Sequence, residues 1–165
     1  MDGAIMILQP LAAWIRASDL HRFMADNPIA FTACETLHFM GLTILFGALM
    51  VIDLRGMGLF KRLSLLEVHK LVPFAIGAFL VNLVTGIMFI FSNPYAYFDN
   101  KAFGLKMLLV LLAGLNALLF EVKVYRPLAA GNLAIETGTL VKVSSALSLA
   151  FWAGVLIFGR LIPYL

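Results

Sequence analysis

A chain of 165 residues that is 62% hydrophobic and only 13% charged, with a mean hydropathy of +0.99, lies far from the composition of soluble domains, which carry about a quarter charged residues. It is long enough for about four spans of roughly 20 residues each, forming one integral membrane domain over residues 1–165. The net charge of +3 comes from basic residues at the ends of apolar segments, a topogenic pattern that gives no reason to expect nucleic acid. The single Cys34 excludes an intrachain disulfide and a CxxC pair.

Residues 1–27 are mixed. An apolar stretch is interrupted by Pro10, and Arg16, Asp19, His21, Arg22 and Asp26 follow. With no basic n-region at Met1-Asp2, the segment reads as an amphipathic interfacial helix, Trp14 at headgroup level, rather than a signal peptide. Asn27-Pro28 opens the first span, about 28–54, which has no formal charge between Glu35 and Asp53 and offers Gly41 and Gly47 for close helix approach. Gly56 and Gly58 break that helix, and Asp53 and Arg55 fix the turn out of it.

The second span, about 65–91, has no charge from Leu71 to Phe98, and its polar mid-membrane side chains are Asn82 and Thr85. Tyr95, Tyr97 and Phe98 supply an aromatic belt. In the third span, about 101–125, the charge-free core runs only from Met107 to Phe120, so Lys106 and Glu121 must snorkel or find partners. The fourth span, about 140–162, carries a small-residue stripe of Ala146, Ala150 and Gly154, read as a packing seam within the bundle or between copies in a homo-oligomer. The expected fold is therefore all-α, a four-helix transmembrane bundle with an interfacial N-terminal helix.

The two connections on one side, with their flanks, hold Arg55, Lys61, Arg62, Lys70, Lys123, Arg126 and Lys142, against Arg16, Arg22, Lys101, Lys106 and Arg160 on the other. That majority puts the connections in the cytoplasm and both termini outside.

Chemistry concentrates at Glu35 and His38, three residues apart on one face of an apolar helix. An ExxH pair presents ligands in carboxylate-bridged metal bundles, but those need two copies and further carboxylates. Counting about ten residues down from the outer helix end sets His38 level with Asn82, with Leu111 or Leu112, and with Trp152. None is a second histidine, so a haem with both axial ligands from one chain is not expected.

Three readings stay open. His38 ligates a haem b or a transition metal ion, alone or opposite its copy in a dimer, with Glu35 as second ligand or orienter and Asn82 and Trp152 lining the site. Alternatively the pair is structural, Glu35 meeting Lys106 or Arg160 and His38 bonding a carbonyl or Asn82, in a non-enzymatic scaffold or accessory subunit. The third is a proton or ion pathway in an oligomeric channel. A P-loop, a GxSxG elbow, an HExxH and a Gly-rich nucleotide fingerprint are all absent, so catalysis is the less favoured outcome.

The runs ETLHFMGLTILFGALMVIDLRGMGL, GAFLVNLVTGIMFIFSNP, FGLKMLLVLLAGLNALLFE and LSLAFWAGVLIFGRLIPY together resemble a bacterial family of four-span inner-membrane proteins defined as a domain of unknown function. The resemblance covers about residues 8–165. It implies the four-span fold and a bacterial inner-membrane location, and implies no activity. The form associated with the end of the third run is Phe-His, where this chain has Phe120-Glu121, which counts against an inner-face metal site. In architecture alone the chain is also similar to b-type cytochrome and copper-resistance protein D bundles.

Overall fold

The computed structural model describes residues 2–164. Every regular element among them is helical, and four helices are long and apolar enough to cross a bilayer, which fits a multi-pass membrane protein.

The N-terminal segment is two helices where one was expected. Helix α1 (Asp2–Arg16) accommodates Pro10, and α2 (Asp19–Asp26) starts afresh because Ser18 caps it: the Ser18 hydroxyl accepts from the His21 N–H at 3.1 Å. Both lie across the end of the second span. Trp14 meets Phe91 edge-on at 6.4 Å, and the His21 Nδ1–H donates to the Phe91 carbonyl at 2.7 Å.

Helix α3 (Pro28–Gly56) begins where the Asn27 side chain accepts from the Ala30 N–H at 3.1 Å, and Gly58, at φ 100°, turns the chain away beyond its end. Helix α4 (Leu65–Ser92) passes through a 3₁₀ turn at His69–Leu71 just before Pro73, which has no N–H to give the ladder. The short α5 (Pro94–Phe98) leads into α6 (Lys101–Ala129). A π-helical turn at Glu121–Tyr125 widens α6 ahead of Pro127, whose ring would otherwise strike the carbonyl four residues back. The helix therefore continues past the expected end at 125. A 3₁₀ turn (Leu133–Thr137) precedes α7 (Thr139–Tyr164).

The spans pack in the order α4–α3–α7–α6. At the end that carries the two connections, called here the loop end, Ile52, Leu65, Val68, Val124, Leu128 and Val141 draw all four helices into one core. Arg55 ties this end down. Its Nε donates to the Leu63 carbonyl and its guanidinium meets Glu136 at 2.5 Å, while Glu136 also accepts from the Leu65 N–H at 2.9 Å. Arg55 thus fixes the turn as expected, while Asp53 contributes only its backbone carbonyl, which accepts from the Met57 N–H at 2.8 Å.

Glycines set the closest crossings. A Cβ on Gly41 would stand 2.7 Å from the Asn82 amide on α4, one on Gly56 2.1 Å from the Ser145 hydroxyl on α7, and one on Gly154 2.8 Å from Leu109 on α6. Gly47, expected to do the same, has open space beside it. The expected stripe on α7 divides: Gly154 packs inward, Ala146 and Ala150 face outward, and the buried face carries Val141, Ser144, Ser145, Ser148 and Val155. Hydroxyls turn inward because a polar side chain facing hydrocarbon has no partner there.

Asn116 and Ser144 make a reciprocal pair across α6 and α7, the Asn116 amide donating to the Ser144 carbonyl and the Ser144 hydroxyl donating to Asn116 Oδ1, both at 2.9 Å. Asn116→Ala removes both bonds and strands the hydroxyl, so a loss of about 1 kcal/mol is expected, read from detergent unfolding curves. An unfolding curve superposable on that of the native chain would show the pair contributes nothing.

Candidate functional site

The residues expected to form one site lie in two places. His38, 8% exposed, faces α4: its Nδ1–H donates to the Thr85 hydroxyl at 2.7 Å, and its ring meets Phe89 edge-on at 5.1 Å. The direction follows from Thr85, whose own hydroxyl proton goes to the Val81 carbonyl at 2.7 Å and leaves the oxygen as acceptor. Glu35 faces outward, and neither a hydrogen bond nor an ion pair joins it to His38, Lys106 or Arg160 among the described residues. Tyr97, on α5, feels its charge: burial, then Glu35 and Cys34, push the phenol above its ordinary range. Lys106 instead lies over Gly159, and Arg160 sits over the Tyr164 ring.

Asn82 is buried on the α3/α4 seam, donating to the Ala78 carbonyl at 3.0 Å, with Oδ1 unpartnered among the described residues. Trp152 is elsewhere. Gly56 faces Ser145 and Asp53 neighbours Ser148, and the same antiparallel register sets Trp152 opposite Leu49, where both pack on the Leu45/Ala75/Ala78 cluster. Leu49 is eleven residues from His38, roughly 16 Å along the axis at 1.5 Å per residue. Depth counted from equal helix starts fails because α3 begins well beyond the end of α7. His38 and Trp152 therefore do not share a site.

No group of three or more His, Cys, Asp or Glu side chains suited to a metal ion occurs among the described residues. His38 is turned toward Thr85, with the buried Cys34 one turn earlier bonded to the Thr85 carbonyl at 3.5 Å, and it does not border the apolar cavity nearer the loop end.

That cavity, about 370 Å³, lies between α4 and α6 in the half of the bundle nearer the loop end. The two helices meet in the loop-end core and diverge above it, so α3 and α7 form the floor of a lateral window. Its walls are apolar, with Leu45, Ala75, Phe79, Ala113, Phe120 and Trp152 prominent; Ile76 and Gly114 are exposed at the mouth. Phe79 and Trp152 meet edge-on at 6.2 Å.

Polar groups enter at few points. At the lower rim, His69 Nε2 lies 3.2 Å from Glu121 and its ring stacks on Tyr125 at 3.4 Å, while Arg126 approaches Glu121 at 3.5 Å. The π-helical turn begins at Glu121 and so shapes this rim. On the floor stands Asp53, 4% exposed, whose Oδ2 has no hydrogen-bond partner among the described residues.

Sequence reasoning gave Asp53 a role only in the turn out of α3. The signal that could have found it is its position three residues before Gly56, on the face that α7 approaches with Ser145 and Ser148. No protein family, curated protein or solved structure matched the chain on comparison.

Proposed function

We propose that this chain is a helical membrane protein that binds a small amphipathic molecule, admitted sideways from the bilayer through the window between α4 and α6. The observation that carries the reading is the cavity itself: about 370 Å³, apolar-walled, open at Ile76 and Gly114, with the carboxylate of Asp53 on its floor. Small-molecule sites have this make-up, roughly 300–1,000 Å³ of mostly apolar surface with a few placed polar groups. An intramembrane carboxylate facing a cavity marks a functional position by default, because its cost in hydrocarbon is otherwise unreturned.

The chain holds two tryptophans, Trp14 on α1 and Trp152 on the cavity wall. In a Trp14→Phe background, quenching of Trp152 by a brominated single-chain amphiphile in lipid nanodiscs is expected to saturate. Gly114→Phe places a ring at the mouth, where a new Cβ meets no atom within 4 Å, and is expected to remove the saturable part. Quenching that stays linear in probe concentration and is indifferent to Gly114→Phe would sink the proposal.

A further inference from the structure

Resting on the binding role just proposed, the geometry points to a lipophilic ammonium as the ligand, its cationic head on Asp53 and its apolar body between Phe79, Phe120 and Trp152. Charge balance supplies the first argument. Of the acidic groups on the cavity, Glu121 is matched by His69 and Arg126. Among the described residues, Asp53 has no basic side chain within ion-pair distance. Arg55, two residues away on the same helix, is committed to Glu136 and the Leu63 carbonyl. A carboxylate 96% out of contact with solvent, with one oxygen buried and without a hydrogen-bond partner among the described residues, is stabilised most by a partner that brings both a proton to share and a positive charge.

The walls supply the second argument. Ser148 neighbours Asp53, and Trp152 stands one helical turn further along α7, edge-on to Phe79. An aromatic wall one turn from a carboxylate suits an ammonium on an apolar stem, because ring faces attract cations and bury methylenes equally well. A fatty carboxylate would set like charge against Asp53, and a fatty alcohol would satisfy one hydrogen bond and leave the charge uncompensated. The ammonium could arrive as a free single-chain amine or as the amine of an aminolipid headgroup, since Asp53 is less than one turn from the end of α3.

The test uses the full chain with Trp14→Phe in phosphatidylcholine nanodiscs, titrating dodecylamine, dodecanol and dodecanoate against Trp152 fluorescence. Dodecylamine is expected to bind at least roughly tenfold tighter than the alcohol, the effect of one charge-assisted hydrogen bond, with the carboxylate weakest. Asp53→Asn is expected to abolish that preference while leaving alcohol binding in place. The ranking within the native cavity decides the matter even if the variant does not fold. Equal binding of all three, or a preference for the alcohol or the acid, overturns the ammonium assignment and leaves the cavity as a binding site. Absence of saturable binding by any of the three overturns both. Discs doped with phosphatidylethanolamine separate the sources: competition with dodecylamine assigns the site to a lipid headgroup, and its absence to a free amine.

Discussion

Arg55→Ala is expected to lower stability by about 3–5 kcal/mol, the range for removing one partner of a buried ion pair. The Arg55 and Glu136 side chains are 11% and 22% exposed, so little solvent screens them. Truncation strands Glu136, which also holds the Leu65 N–H at the start of α4, and it releases the Leu63 carbonyl. Three contacts at the loop end loosen together. Arg55→Lys recovers the charge and loses the fork that serves two acceptors at once, so partial recovery is expected. The measurement is a denaturant or thermal unfolding midpoint in detergent; a loss below about 1 kcal/mol, the scale of an exposed pair, would show that water reaches this contact.

Gly56→Val is the second large effect. The new Cβ falls 2.1 Å from the Ser145 hydroxyl, 3.1 Å from its Cβ and 3.4 Å from Val141, and both of those residues are fully buried. Neither can move aside, so α3 and α7 must part at their tightest crossing, at a cost of about 1–3 kcal/mol or more. Ser145→Gly in the same chain is expected to restore part of the loss, because the clash is between those two positions, and a double-mutant cycle reads that coupling. Gly47→Ala is the matched control. With open space beside it in the middle of a helix, it is expected to be neutral or stabilising by up to about 1 kcal/mol. Equal destabilisation at the two glycines would mean that helix propensity, rather than the crossing, governs both.

The architecture was legible because hydrocarbon permits few solutions. Four charge-free stretches, the Asn27-Pro28 start and the Gly56/Gly58 stop place the spans within a few residues of where they lie. Side-chain pairing was less legible, and for a definite reason. Helix spacing says that Glu35 and His38 share a face; it does not say how wide that face is or which neighbour covers it. His38 points at α4 while Glu35, a turn away, faces out. Depth failed where it assumed equal helix starts, so Asn82 and Trp152 were drawn to the same level although they belong to different interfaces. Asp53 was overlooked because an acid near a helix end is ordinarily solvated. Only the close crossing at Gly56, which draws α7 over it, takes that solvent away.

The Arg55–Glu136 tie also bears on how the chain is made. Its halves are 81 residues apart, so α3 and α4 are both synthesised before Glu136 exists. For that interval the first hairpin carries an uncommitted guanidinium. At mid-bilayer such a charge would favour expulsion of the helix, whereas one residue from the α3 terminus it can rest among lipid phosphates until the second hairpin arrives. The partner then takes over from the phosphates. This long-range tie is thus placed at a depth where waiting for it costs little.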